Sequence, residues 1–365
     1  SAIGLEGSLH LFQSGVTGNT ATNNAGGISS QGQLNLLSTE VDGNIAGNQA
    51  GGIGASAGFV AITGSRITNN MATAAGGGVG FLAPMMEGGP AVSATINSSR
   101  IEANLAANGA GIENAGANLQ VIGSTIQGNT ATTDGGGLRN SGGNTRITNA
   151  TFTSNTATSG TGGGIHNDIG PVRVINATIV GNTANRGGGL SSVGNAFTEF
   201  GNTILAMNVG TTSDPDYFSQ GTLRSLGANL IGVDDLNNFS ELTNDTAGTT
   251  GFAADPALNA LAFNGGFTQT FAPMAGSPVL DMGDDGLATE TDQRGAPRRL
   301  NSASPGNPGQ IDIGAYEAGF TGFFVNTTAD TVDANIGDGD AEDAAGDTSL
   351  RAAIQEANTS LTPVT

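Results

Sequence analysis

The chain has 365 residues, of which 61 are glycine, none is cysteine or tryptophan, and only 5% are aromatic. Its 11 basic and 31 acidic residues give a formal net charge of −20 at pH 7. This charge argues against a nucleic acid partner, because binding a phosphate backbone requires a basic face. Disulfides and thiolate metal sites are excluded, and no apolar run is long enough for a membrane span.

A repeat runs through the first 208 residues. In each unit an asparagine stands three or four residues after an apolar residue, at Asn19, Asn44, Asn70, Asn104, Asn129, Asn155, Asn182 and Asn208. The successive spacings are 25, 26, 34, 25, 26, 27 and 26 residues. A period of this length indicates stacked supersecondary units rather than an ordinary globular core.

Each unit carries two kinds of strand signal. Before the asparagine, aliphatic residues stand two apart, as at Leu34 and Leu36, which is typical of a strand. After it, a pair or triplet of small residues, mostly glycine, precedes one aliphatic residue, at Ile28, Ile53, Val79, Ile112, Leu138, Ile165 and Leu190. Because glycine tolerates the positive φ of tight bends, each unit is predicted to contain at least two short strands separated by bends.

These patterns predict an all-β fold, a right-handed parallel β-helix with about 25–26 residues per coil and regular coils over residues 1–210. Such a coil is too short for a helix pair, and it shows no helical apolar stripe. Equivalent positions of successive coils should stack about 4.8 Å apart. The asparagines are therefore expected to form a structural ladder, bonded to backbone and to one another, rather than a catalytic site.

Two stretches depart from the repeat. The interval from Asn70 to Asn104 is longer than the others, which predicts a loop at residues 81–92 as the contact for surface glycans or lateral partners. Residues 211–319 lose the period and are predicted to form irregular coils and a cap, since an exposed final coil would leave backbone groups unpaired.

The motifs NTILAMN, SLGANLIG, DPALNALAFNGGFTQTFAPMAGSPVLDMG, DQRGAPRR and DIGAYE follow one another in this C-terminal part. In order and spacing they resemble the C-terminal half of bacterial surface proteins with the choice-of-anchor Q domain. The stretch FFVNTTADTVDANIGDGDAEDAAGDTSLRAAIQEAN resembles the CSLREA-type segment that normally opens such a domain. The coil repeats also resemble those of polymorphic outer-membrane proteins. The resemblance implies a right-handed β-helix, a location at the cell surface or outside the cell, and a scaffold role.

The order of these elements predicts how copies of the chain associate. Residues 320–365 resemble a module's beginning but stand at the chain's end, while the repeat is already running at Asn19. Because a first coil exposes strand edges, we predict that the tail completes the first coil of the next copy, giving a head-to-tail homopolymer. A tandem-repeat polyprotein would make the same contacts covalently. The predicted interface residues are Phe323, Phe324, Val325, Leu350 and Ile354, the last two on a short helix.

The tail also carries a cluster of acidic residues that suggests calcium. Asp333, Asp338, Asp340 and Asp343 stand among glycines that allow the chain to turn. Oxygen ligands of this kind suit Ca²⁺, although their spacing matches no EF-hand loop. A solvated acidic loop is the alternative.

Enzymes form a competing class, because parallel β-helices also carry polysaccharide lyases and hydrolases. Hydrolysis would require paired carboxylates on one face. The acidic residues of the coils do not recur in one obvious column; they are Glu40, Asp42, Glu102, Glu113, Asp134 and Asp168. Arg139 is expected in solvent, and His10 and His166, six coils apart, cannot share a metal and are expected at the surface or at strand ends.

In the C-terminal part, Asp292, Arg294 and Arg298 are expected to form a structural ion-pair network. We therefore predict a non-enzymatic extracellular structural protein that assembles into a filament or surface layer. A monomeric surface adhesin is the first alternative, and a polysaccharide lyase or hydrolase is the second.

Overall fold

The computed structural model describes residues 3–5, 7–82, 91–235, 244–298, 310–319, 325, 327–337 and 341–359. It is an all-β parallel β-helix of about eight coils with about 26 residues per coil, and it ends in one short helix. The predicted fold class is confirmed. Within the described residues the coils contribute strands to three parallel sheets, which form the sides of the stack.

The first sheet contains two lines of strands that merge in two long strands. The line of short strands is Ile3–Leu5, Ile28–Ser30, Ile53–Ala55, Val79–Phe81, Ile112–Asn114 and Leu138–Ser141. The neighbouring line is Ser8–Phe12, Gln33–Leu37, Phe59–Thr63, Ser93–Asn97, Asn118–Ile122 and Asn144–Thr148. The long strands Ile165–Ile175 and Leu190–Gly201 belong to both lines, and Tyr217–Ser219 and Thr222–Gly227 follow them.

The other two sheets follow each turn of the chain. The second sheet is Gly15–Thr17, Glu40–Asp42, Arg66–Thr68, Arg100–Glu102, Thr125–Gln127, Thr151–Thr153, Thr178–Val180, Ile204–Ala206, Leu230–Ile231 and Thr246–Ala247. The third sheet is Thr20–Ala21, Ile45–Ala46, Met71–Ala72, Leu105–Ala106, Thr130–Ala131, Thr156–Ala157, Thr183–Ala184 and Val209–Gly210. Outside them lie the antiparallel pair Leu258–Ala262 and Thr270–Pro273, the 3₁₀ turn Asp285–Leu287 and the helix α1, Leu350–Thr359.

The core is a set of aliphatic columns, because parallel pairing in register places equivalent side chains above one another. Leu34 and Leu36 pair with Val60 and Ile62, and all four side chains are buried. The alternation read from the sequence is the inward face of the five-residue strands. The 34-residue interval does not disturb this register, since Phe59–Thr63 pairs directly with Ser93–Asn97. Residues 83–90 of the predicted partner-contact loop lie outside the described residues.

The asparagine ladder is continuous, and its predicted structural role is confirmed. Asn129 is typical: its backbone N and its Nδ2 both donate to Asn155 Oδ1, at 3.1 and 2.9 Å. Its Nδ2 also donates to Ile101 O of the preceding coil at 2.9 Å. The ladder ends at Asn208, whose N and Nδ2 donate to Asp216 Oδ1 at 3.0 and 2.9 Å. A carboxylate thus takes the place that an amide oxygen holds elsewhere.

After the last strands of the coils, residues 258–298 and 310–319 lie against the second sheet; we call them the lateral strap. Gln293 reaches two coils, because its Nε2 donates to Thr125 Oγ1 at 3.0 Å and its Oε1 accepts from Thr151 Oγ1 at 2.7 Å. Further along, Ala315 N donates to Thr178 Oγ1 at 3.0 Å. Polar threonines on the outer face of the second sheet are therefore binding positions for the strap rather than solvent-facing residues.

The predicted ion-pair network lies inside this strap and is structural. Arg294 Nη2 is 2.8 Å from Asp292 Oδ2. Arg298 is fully buried, with Nη1 3.4 Å from Glu317 Oε2, while its Nη2 donates to Asn149 Oδ1 at 3.0 Å. Burial raises the pKa of Glu317, and the Arg298 guanidinium opposes this shift. Breaking a buried, hydrogen-bonded pair of this kind would leave an uncompensated charge, so the network holds the strap on the coils.

Candidate functional site

The tail predicted to join copies leaves apolar side chains on its outer surface. Leu350 is 63% exposed, Ile354 is 53% exposed and Val325 is 47% exposed. Phe323 and Phe324, the other predicted interface residues, lie outside the described residues. Leu350 and Ile354 are four residues apart in α1 and therefore share one face of the helix.

The helix packs through its opposite, alanine-rich side. Ala352 and Ala353 are buried together with Ala341. Ser349 caps the helix, because its Oγ accepts from Ala352 N at 3.0 Å, and the same hydroxyl donates to Thr331 O at 2.6 Å. The larger apolar residues of α1 therefore point away from the chain's own packing.

The tail lies beside the early coils of its own chain. A cavity of about 860 Å³ separates the two and is lined by Phe12, Arg66 and Arg100 on the coil side and by Val325 and Asp347 on the tail side. Burial lowers the pKa of Arg100, and the Glu102 carboxylate opposes this shift. Burial raises the pKa of Asp347, which Arg100 and Arg66 oppose. Charge attraction thus helps to hold the tail near these arginines.

Only part of the predicted calcium cluster lies within the described residues. Asp338 and Asp340 lie outside the described residues, and the calcium site stays a prediction. Asp333 Oδ1 accepts from Asn335 N at 2.8 Å, and Asp343 Oδ1 accepts from Ala345 N and Asp347 N at 2.8 and 3.0 Å. Among the described residues, no group of three histidine, aspartate or glutamate side chains is arranged to hold a metal ion.

A second site, which the pattern counted from the ladder asparagines did not reveal, occupies one corner of the coil stack. Glu113, Arg139, His166 and Ser191 are neighbours in register, each being the second residue of its coil's short strand or of the long strand that continues this line. Side chains from adjacent positions join them. We call the whole group the polar corner: Glu113, Asp134, Arg139, Thr161, His166, Asp168 and Ser191.

Arg139 lies at the centre of the polar corner. Its Nη1 is 3.3 Å from Glu113 Oε1 and its Nη2 is 2.8 Å from Asp168 Oδ2. Ser141 also donates to Glu113 Oε1. The expectation that Arg139 is solvated is wrong, because it is held between two carboxylates. The acidic residues form no column, yet three of them converge here from different positions of the repeat.

His166 completes the corner. It lies at the start of the strand Ile165–Ile175, which agrees with the expected strand-end position, but it is buried rather than at the surface. Its side chain is 5% exposed and shares a 2.9 Å hydrogen bond between Nδ1 and Thr161 Oγ1. Ser191 Oγ donates to the same Thr161 oxygen at 3.1 Å, and Asp134 Oδ1 accepts from Thr161 N at 2.8 Å. Burial lowers the pKa of His166, against the opposing effect of Asp134, so the imidazole is neutral near pH 7. Burial raises the pKa of Glu113, and Arg139 opposes this.

Glycine makes room for these side chains. Four residues before Glu113, Gly109 adopts φ +51°, and a Cβ there would lie 2.5 Å from Glu113 Oε2. In an earlier coil the equivalent of Gly109 is Ala50, and the residue four positions later is Gly54, which has no side chain. A Cβ on Gly54 would meet the Ala50 Cβ at 3.0 Å. At this bend, glycine therefore leaves the space that the Glu113 carboxylate occupies.

No family model, curated protein or solved structure matches this chain. In the part of the chain that the structure describes, no helix is both long and apolar enough to cross a membrane. The resemblance to choice-of-anchor Q proteins stays a prediction.

Proposed function

We propose that this chain is an extracellular structural protein whose copies join head to tail into a filament or surface layer. One observation carries the proposal: Leu350 and Ile354 remain exposed on one face of α1, although Ala352 and Ala353 of the same helix are buried together with Ala341. Exposed apolar residues grouped on one surface are typical of a protein interface. The extracellular location rests on the resemblance of the motifs and is part of the same proposal.

The first coil is the surface that would receive this face. Among the described residues, strands Ser8–Phe12, Gly15–Thr17 and Thr20–Ala21 each pair with one neighbour only. Leu9 and Leu11 are partly buried, whereas their equivalents one coil later are fully buried. An apolar helix face and an added strand would cover these side chains and edges, which is the physical basis of strand addition between chains.

The net charge of the chain makes this assembly dependent on salt concentration. With a formal net charge of −20, copies of the chain repel one another. Salt shortens the range of that repulsion, to about 8 Å at physiological ionic strength. Assembly through apolar contacts should therefore increase as salt is raised from low to physiological concentration.

The test compares the double variant Leu350→Ser/Ile354→Ser with the wild type by light scattering and electron microscopy. Phe252→Ser is the matched control, since Phe252 is also an exposed apolar residue but lies outside the tail and the first coil. We expect the wild type and the control to form polymers and the double variant to remain monomeric with an unchanged circular dichroism spectrum. Polymers of the double variant equal to those of the wild type would contradict the proposal, as would a wild type that stays monomeric at every salt concentration.

A further inference from the structure

We propose that the polar corner binds a neutral, hydroxyl-rich polymer, a glycan chain that lies along the coil axis. This proposal is independent of head-to-tail assembly, because the polar corner lies on the side of the coils, within residues 113–191.

The first argument is the location of the polar corner within the repeat. The column that contains Glu113 reads Ser29, Gly54 and Gly80 in the preceding coils, in register with it. A residue required by the coil itself recurs in every coil, as the ladder asparagines do. Glu113, Arg139 and His166 are titratable side chains confined to consecutive coils, and they indicate a local requirement instead.

The second argument is unused hydrogen-bonding capacity. Within the described residues, Glu113 Oε2 and Arg139 Nε are buried and make no hydrogen bond. Such groups are rare in folded proteins and call for an explanation. Toward solvent, the side chains of Arg139, Asp134 and Asp168 are 22%, 25% and 32% exposed. The corner therefore presents a guanidinium donor and two carboxylate acceptors side by side.

These groups select the class of ligand. A hydroxyl group donates to a carboxylate and accepts from a guanidinium, so neighbouring hydroxyls of a sugar match the pair formed by Asp168 and Arg139. A cation would meet the Arg139 guanidinium at the centre of the site. A polyanion would meet the three carboxylates of Glu113, Asp134 and Asp168 with one guanidinium to offset them. A neutral polyhydroxyl ligand avoids both conflicts.

The length of the column favours a polymer over a single sugar. One coil beyond Ser191, in register with it, the Phe218 ring is covered by the Arg186 guanidinium at 3.7 Å. Arg186 is held in place by Asp214, whose Oδ2 accepts from its Nε at 2.6 Å. This flat, fixed surface extends the column to four coil spacings from Glu113, about 19 Å at one strand spacing per coil.

The experiment titrates the full chain with neutral hexasaccharides by isothermal calorimetry. The probes are β-1,4-linked glucose, β-1,4-linked N-acetylglucosamine and α-1,4-linked glucose, and a hexamer of α-1,4-linked galacturonate is the acidic comparison. We expect at least one neutral hexamer to bind, and its trimer to bind more weakly. Arg139→Ala and Asp168→Asn should each weaken the binding about tenfold or more. Arg146→Ala, which changes an exposed arginine of the neighbouring strand, should have less than about a threefold effect.

Urea midpoints and circular dichroism identify any variant that fails to fold, and Asp168→Asn is the milder of the two changes. The proposal is overturned if none of the neutral hexamers binds, or if the acidic hexamer binds more tightly than all of them. It is equally overturned if folded Arg139→Ala and Asp168→Asn bind as the wild type does.

Discussion

Replacing a single ladder asparagine, Asn129→Ala, tests how much the ladder stabilises the coil stack. Asn129 is fully buried. Its Oδ1 accepts from Asn104 N and Asn104 Nδ2, at 3.0 and 2.9 Å. Its Nδ2 donates to Ile101 O and Asn155 Oδ1, both at 2.9 Å. Alanine removes all of these bonds and keeps only the backbone donor to Asn155, so the change affects three successive coils.

The magnitude follows from these partners. A buried hydrogen bond contributes about 1 kcal/mol net, and each buried group left without a partner costs about 1–3 kcal/mol. Asn104 N is the buried donor that would be left unpaired, and Asn104 Nδ2 and Ile101 O would each lose one hydrogen bond. We therefore expect Asn129→Ala to lower the free energy of unfolding by about 3–5 kcal/mol. Asn129→Asp should destabilise at least as much, because it keeps the acceptor but loses the donor and buries a charge.

Urea unfolding followed by far-ultraviolet circular dichroism measures the effect, with the midpoint and the slope compared across variants. Gln120→Ala is the control, because Gln120 belongs to the same coil and is exposed. Its midpoint should stay close to that of the wild type. A loss below about 1 kcal/mol for Asn129→Ala, or an equal loss in Gln120→Ala, would refute the view that the ladder holds the coils together.

Two further predictions concern the ladder's end and the polar corner. Burial raises the pKa of Asp216 to about 6 from 3.8, so the folded chain holds this proton more tightly than the unfolded chain does. The stability that this proton provides should therefore be lost as pH rises from about 4 to about 6. Urea titrations should show the wild type losing up to about 3 kcal/mol of unfolding free energy relative to Asp216→Asn across that range. A difference between the two proteins that stays constant with pH would contradict this. Gly109→Ala should destabilise by about 1–3 kcal/mol, because it places a Cβ at positive φ against Glu113. The double variant Gly109→Ala/Glu113→Gly, which recreates the pair found at Ala50 and Gly54, should lose less stability when measured by the same urea titration. An equal loss would argue against the view that the Glu113 side chain excludes a Cβ at residue 109.

The repeated part of the fold could be predicted because equivalent residues of successive coils occupy equivalent environments. Leu34 and Val60 occupy equivalent inward positions and must both be apolar, so the requirement recurs with the period of the coil. Asn44 and Asn70 recur for the same reason, each bonded to the next asparagine. Periodic requirements leave periodic signals in a sequence.

The lateral strap left no such signal. Gln293 is hydrogen-bonded to Thr125, 168 residues away. This contact occurs once, and the local sequence around either residue does not predict it. Threonine on the outside of a parallel strand reads as a solvent-facing residue, and only the fold shows that Thr125, Thr151 and Thr178 are covered. Contacts between a repeat and a non-repeating segment depend on tertiary geometry alone.

The polar corner was missed for a different reason, which is the choice of reference residue. Counted from the ladder asparagine of its own coil, Glu113 stands nine residues later, Arg139 ten and His166 eleven. The bend between asparagine and strand varies in length, so this alignment scatters the three residues over different positions. Counted from the glycine before each short strand, they coincide. The signal was present in the sequence, but it follows the strand and not the ladder.

X-ray fibre diffraction from aligned assemblies of the wild-type chain tests head-to-tail joining most directly. If copies join end to end, the coils of every subunit stack along the fibre, and a strong reflection near 4.8 Å should lie on the fibre axis. It should disappear from preparations of Leu350→Ser/Ile354→Ser, because that variant should form no fibres. A 4.8 Å reflection perpendicular to the axis would mean that subunits associate side by side and would contradict the account, as would a wild type that forms no assemblies.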